Sequence, residues 1–302
     1  MNHDHSHHHP MPTATLNRAF AIGITLNLCM VAIEAFYGWK VNSLALLADA
    51  GHNLSDVAGL LLAWVAVWIG QWHPNLRHSY GWQRASVLAA FANAVLLLVA
   101  MGALAWEAII RLQAPQPFGG YTVMVVAGIG IVINTLTALL FLRGQAGDIN
   151  VRGAFLHLAS DAAVSAAVMV AAGLYLLLGW HWVDPVMSLL IAFVIIVGSW
   201  GLLRQSLHLL FDGVPEHIDP HAVQSWLLSL QGVSAVHDLH IWGMSTTDVA
   251  LTAHLTMPNG QPDDAFLHET AHALHHRFAI EHTTLQIERG DECGQHCVKT
   301  AP

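Results

Sequence analysis

Apolar residues fill six long runs in the first two thirds of the chain, at positions 19–39, 44–70, 86–110, 121–142, 154–179 and 185–203. A helix needs about 20 consecutive apolar residues to cross the hydrocarbon of a bilayer, and each run is about that long or longer. The pattern predicts six transmembrane helices. Only Val41, Asn42 and Ser43 separate the first two, which makes that connection a tight turn on the outer side. Beyond Leu210 the spacing changes. Asp219 followed by Pro220 is an N-cap with proline at the first helical position, opening a helix to about residue 230. Residues 234–242 and 248–257 read as strands, the second alternating through Val249, Leu251, Ala253 and Leu255, with 243–247 as the hairpin loop. A second helix over 263–278 carries Leu267, Ala271, Leu274 and Phe278 on its apolar face, and a last strand sets Thr283, Leu285 and Ile287 on one side. The expected architecture is an all-α membrane bundle of six helices over 16–207, then a small α+β domain of order α-β-β-α-β over 208–290. A His-rich tail over 1–15 and a Cys-containing tail over 291–302 flank them.

Composition supports the membrane class independently. The 302 residues are 55% hydrophobic and 10% charged, against roughly 25% charged in a soluble domain. Basic residues sort by loop as the positive-inside rule requires. Arg18, Arg77, Arg84, Arg143, Arg152 and Arg204 fall on one side, Lys40 and Arg111 on the other, so both termini are expected in the cytoplasm. With 11 Lys and Arg against 20 Asp and Glu, the formal charge of -9 excludes nucleic acid or an anionic lipid surface as the main partner.

The 22 histidines are the compositional outlier, and imidazole is the commonest side-chain metal ligand. The opening MNHDHSHHHP is not expected to be a cleaved signal peptide. Two readings of its histidines stand, an expression tag or a metal-collecting tail; interruption by Asn2, Asp4 and Ser6 favours the second. Three cysteines give no disulfide framework. Cys29 lies in the first span as a small packing residue, while Cys293 and Cys297 lie in the hydrophilic tail.

Two spans carry a His–Asp pair at helical spacing: His52 and Asp56 in the second, His157 and Asp161 in the fifth. Residues four apart share a helix face. Ionisable groups at membrane depth are costly and mark pathways or sites. Brought together, two imidazoles and two carboxylates form a tetrahedral N/O set suited to a divalent transition metal, zinc first. The competing reading is that each His bonds its own Asp as structural glue; two pairs in two spans favour a shared metal. Asp49 reads either as an acceptor orienting a ligating imidazole or as a residue near the outer face. Asn27, Asn93 and Asn134 are expected to bond between helices. Glu34 and Glu107 are expected near span ends within reach of water, and Asp184-Pro185 to cap the sixth helix.

The phrases SLALLADAGHNLSD, HLASD, RHSYGWQRAS and VHDLHIW resemble the cation diffusion facilitator family, in its bacterial zinc-exporting branch, and the likeness runs from about Leu16 to Glu288. It implies that His52, Asp56, His157 and Asp161 form a transport site, with His at the first position of the second-span pair associated with zinc over cadmium. It further implies a homodimer in the inner membrane of a bacterium, a cytoplasmic domain resembling a copper metallochaperone, and exchange of metal for protons. By the same resemblance His237, His254 and Glu288, with thiolates from Cys293 or Cys297, form a zinc site at the dimer interface, where zinc is regulatory rather than cargo. A further ion site that some members hold between the second and third spans is not expected, because only His78 of its ligands is present; His73 and His78 read as solvated loop residues. His268, His272, His275 and His276 recur at helical spacing as a solvated or loosely metal-binding face.

The ligand chemistry points to a secondary transporter that exports Zn²⁺ in exchange for protons, since metal binding to imidazole and carboxylate releases protons. Cd²⁺ and Co²⁺ share the ligand set. No Gly-rich Lys-Ser/Thr nucleotide motif is present, and no organic cofactor is expected. A zinc hydrolase would need an open coordination position and a general base, and no His-Glu-x-x-His helix occurs; a membrane-bound sensor would need an output domain after Glu288.

Overall fold

The computed structural model describes residues 13–141, 149–258 and 263–290. Six long helices come first: α1 (Thr13–Lys40), α2 (Leu44–Gly70), α3 (Ala85–Gln113), α4 (Gly120–Phe141), α5 (Ile149–Leu178) and α6 (Val183–Leu210). Among the described residues α2 to α6 are each long and apolar enough to cross a membrane, and α1 has 28 residues, the length of its neighbours. Helices α1, α3, α5 and α6 outrun their apolar spans, while α2 and α4 keep the expected lengths. Helix α6 continues to Leu210 where the apolar run stops at 203, because Arg204-Gln205-Ser206-Leu207-His208 contains neither Gly nor Pro to end it.

The chain divides into two compact units, the first formed by residues 1–60 and 93–200. Its core joins small and branched residues of five helices: Ala45 and Ala48 of α2, Leu97 and Met101 of α3, Val123 and Ala127 of α4, Val168 and Ala172 of α5, and Ile191 and Ala192 of α6. Alanine at so many of these positions lets backbones approach closely, the usual basis of helix packing in lipid. The turn between α1 and α2 places Asn42 in the left-handed region at φ 60°, which Asn tolerates better than most residues.

Asp184 caps a different helix from the one the sequence suggests. It lies in the first turn of α6, yet its carboxylate accepts from Ser43 Oγ at 2.5 Å, Leu44 N at 2.7 Å and Ala45 N at 3.4 Å. The orphan amides it satisfies are those at the N-terminus of α2, where a negative charge is also favoured by the helix dipole.

The second unit comprises residues 61–92 and 201–302. Its α/β part follows the order α7 (Pro220–Leu228), β1 (Ala235–Gly243), β2 (Val249–Thr256), α8 (Asp264–Phe278) and β3 (His282–Glu288). The Asp219 side chain caps α7 by accepting from His221 N, as the Asp-Pro pair implies. Strand β1 pairs antiparallel with β2, and β2 pairs parallel with β3, so α8 serves as the crossover that a parallel pair requires. Val249, Leu251, Ala253 and Leu255 point into the core with Val223, Leu227, Leu274 and Ile280. On α8 the fully covered positions are Thr270 and Leu274, a small rotation from the expected stripe through Ala271. Two residues of β1, Asp238 and Leu239, oppose Ala253 alone, a bulge in which Asp238 takes φ 50°. Arg84, in the turn before α3, pairs with Asp212 within this unit.

Candidate metal centres

The first centre is built from α2 and α5. His52 Nε2 lies 3.7 Å from Asp56 Oδ2 and 3.9 Å from Asp161 Oδ1; His157 Nε2 lies 3.4 Å from Asp56 Oδ2 and 3.6 Å from Asp161 Oδ2. Each imidazole therefore faces both carboxylates. These separations are long for hydrogen bonds; the two made by His157 fall within the about 3.3 to 3.6 Å between neighbouring ligand atoms of a tetrahedron with zinc–ligand bonds of about 2.0 to 2.2 Å, and the two made by His52 are slightly longer. His52 Nδ1, Asp56 Oδ2 and Asp161 Oδ2 are buried without a hydrogen-bond partner among the described residues. His52, His157 and Asp161 each offer a ligand atom within 4.8 Å of the others. A cavity of about 530 Å³ opens against His52 and Asp161, walled mainly by apolar residues of α5 and α6 such as Val164, Leu190 and Ile195.

Beside this centre lies a polar cluster that the sequence reading resolves only in part. Glu34, expected near water, is wholly buried. Its Oε2 accepts from Asn53 Nδ2 at 3.5 Å, and the same amide donates to Asp49 Oδ1 at 3.5 Å. Asp49 also accepts from Ser165 Oγ at 3.3 Å, so its partners are an amide and a hydroxyl rather than an imidazole, and it is buried rather than at an outer face. Asn53 and Ser165 carry a readable signal: 49, 53 and 56 follow one face of α2, and 157, 161 and 165 step by four along α5. Asn93 accepts from Ser55 Oγ at 3.4 Å, the interhelical bond expected of it. Glu107 pairs with Arg111 at 2.9 Å.

The second centre lies on the sheet of the α/β part. His237 and His254 are directly opposite on β1 and β2, and Glu288 ends β3. Glu288 Oε2 lies 3.0 Å from His237 Nε2, and its Oε1 lies 3.0 Å from His254 Nδ1. The sequence does not flag Asp238, which the bulge turns towards the same cluster: its Oδ2 lies 3.5 Å from His254 Nε2 and its Oδ1 3.1 Å from His240 Nε2. Cys293 and Cys297 lie outside the described residues, as does the His-rich segment over 1–12. His73 and His78 are exposed in the loop after α2, His78 stacking on Trp82 at 4.4 Å. His268, His272, His275 and His276 are exposed on α8, where His272 and His276 bring ring nitrogens within 3.1 Å.

Residues 20–211 match the model of the cation efflux transmembrane domain, and residues 215–290 that of the cation efflux protein cytoplasmic domain. The chain belongs to the cation efflux family. Zinc transporter ZitB of Escherichia coli (strain K12) is 35% identical over 302 residues, covering 98% of this chain and 96% of its own. The metal cation efflux system protein CzcD of Cupriavidus metallidurans is 33% identical over 289 residues, covering 95% and 90%. The cadmium, cobalt and zinc/H(+)-K(+) antiporter of Bacillus subtilis (strain 168) is 33% identical over 261 residues, covering 85% and 84%. The cation efflux chain is thus a multi-pass membrane transporter and not an enzyme.

Proposed function

We propose that this transporter exports Zn²⁺ from the cytoplasm in exchange for protons, through His52, Asp56, His157 and Asp161. The observation that carries the reading is the convergence of two imidazoles and two carboxylates from α2 and α5, each imidazole within 3.9 Å of both carboxylates. Four protein ligands close the coordination sphere, which suits carriage of an ion rather than activation of a bound water. Zinc leads by ligand type; cadmium and cobalt share the set and are the alternative cargoes. Proton exchange follows from the donors: the metal binds deprotonated groups, and an imidazole side chain gains its proton in the physiological range.

The same reading takes the α/β part as a regulatory zinc domain in a homodimer, with His237, His254 and Glu288 as ligands joined by Cys293 or Cys297. Both termini are then cytoplasmic, in the inner membrane of a bacterium, with domains over 16–207 and 208–290. The relatives named for zinc transport and for H⁺ antiport support zinc as cargo and protons as the exchanged ion, and the match of residues 215–290 to the cytoplasmic domain of cation efflux proteins supports the place given to the α/β part.

The test is transport in vesicles with an imposed pH gradient, beside zinc tolerance of cells expressing Asp161→Ala. Wild-type Zn²⁺ flux should rise with an outward-acid gradient, and the variant should reach the membrane yet confer no tolerance. Flux indifferent to the gradient removes antiport; full tolerance with Asp161→Ala removes the site.

A further inference from the structure

Glu34, Asp49, Asn53 and Ser165 lie beside the four metal ligands but belong to no ligand set. Each is at most 1% exposed. A single amide, Asn53 Nδ2, donates at 3.5 Å to a carboxyl group on each side, Glu34 of α1 and Asp49 of its own helix. Two oxygens aimed into the cluster, Glu34 Oε1 and Asn53 Oδ1, have no hydrogen-bond partner among the described residues. Helix α4 brings Gly130 here: a Cβ added to it would lie 3.4 Å from Glu34 Oε1 and 3.0 Å from Ser165 Oγ.

Two carboxylates this deep cannot both stay charged on the strength of one neutral amide, because the desolvation of each is several kcal/mol. Asp161 lies one turn before Ser165 on α5, and His52 three residues along α2 from Asp49. Asp161 adds negative potential, and among the described residues no Lys or Arg is paired with either carboxyl group.

We propose that Glu34 and Asp49, bridged by Asn53, form a proton-carrying site separate from the four metal ligands. An O–H bond forms on one carboxyl oxygen with a proton from the outer side, and breaks when that proton passes to water on the cytoplasmic side. Asp161 couples the two sites. With metal bound its charge is neutralised and the pair holds its proton less firmly; with the metal gone the pair takes the proton up again. Such coupling is reciprocal, so the proton on the pair weakens metal binding by the same factor. This inference rests on the antiport reading above.

The decisive experiment measures proton counter-flux per Zn²⁺ in proteoliposomes, with an internal pH dye and a zinc dye, for wild type, Glu34→Gln, Asp49→Asn and Glu34→Asp. The amide variants keep shape and hydrogen bonding, so they should still bind zinc in equilibrium titrations, while acceleration of flux by the pH gradient falls roughly tenfold or more. Glu34→Asp should restore it. If wild type shows no proton counter-flux, antiport fails and this site with it. Wild-type coupling that survives undiminished in both amide variants overturns the site alone. So does a dependence on Na⁺ or K⁺ that disappears in Glu34→Gln, which would give the pair to an alkali cation.

Discussion

His157 Nε2 lies nearer to Asp56 Oδ2 of the other helix, at 3.4 Å, than to Asp161 Oδ2 one turn along its own, at 3.6 Å. Local hydrogen bonding cannot account for that order. A His–Asp pair serving as glue within one helix would close to hydrogen-bond distance and leave the facing pair alone. Here neither intrahelical contact closes, and each imidazole stands within 3.9 Å of both carboxylates.

If one ion occupies that centre, its ligands act as a unit. Asp56→Ala and His157→Ala should each lower zinc affinity by more than the roughly 10- to 100-fold that outer-shell changes cost. The double variant should then fall little further, with a coupling of about 1 to 3 kcal/mol in a double-mutant cycle. Isothermal titration on the purified dimer or monomer in detergent reads this directly. Strict additivity of the two losses would mean that the residues bind metal separately, or not at all.

The pair spacing was legible because a helix repeats: positions 52 and 56, and 157 and 161, share a face whatever the rest of the fold does. Glu34 was not. Its place in α1 puts it towards a span end, and only the packing of α1 against Val126 and Leu46 through Met30 shows that it is sealed from water. Asp184 shows the same limit. An Asp-Pro at a helix start reads as a local cap, but nothing in the spacing says that residues 140 positions earlier supply the amides. The bulge that swings Asp238 towards His254 depends on register between strands, which the β1 sequence alone does not fix.

Asp184 holds the start of α2 through three contacts. Replacing it with Ala strands two amides of α2 and the Ser43 hydroxyl in a buried setting, at a cost of about 2 kcal/mol or more. Thermal unfolding in detergent should shift down by about 2 to 4 °C for each kcal/mol, with Asp184→Asn intermediate because its amide oxygen still accepts. Zinc affinity at the α2–α5 centre should hold. An unchanged melting point for Asp184→Ala would show that these contacts do not support α2.

Two glycines of α4 make a paired control. An added Cβ at Gly128 meets only Met169 Sδ at 3.7 Å, an ordinary contact, whereas at Gly130 it comes to 3.0 Å from Ser165 Oγ and 3.1 Å from Met30 Cε. Gly128→Ala should be near neutral, while Gly130→Ala should destabilise by about 1 to 3 kcal/mol through overpacking. Unfolding midpoints compared side by side test the difference. Equal midpoints would imply that Met30 and Ser165 move aside freely and that the α1–α4–α5 packing is looser than its distances suggest.

His254 stands between two carboxylates, Nδ1 at 3.0 Å from Glu288 and Nε2 at 3.5 Å from Asp238, so its ring is held from both ends and its loss affects the sheet centre twice. Without the imidazole, Glu288 and Asp238 each lose their partner on β2. Zinc content after chelation and reloading should therefore fall in His254→Ala, while a His52→Ala/Asp56→Ala double variant loses the other fraction. The two losses should add, because the ligand sets share no residue. Cys293→Ser/Cys297→Ser should weaken only the fraction lost in His254→Ala. Full zinc content in His254→Ala would leave the sheet cluster as a hydrogen-bonded network, with the α2–α5 centre as the chain's metal-binding element.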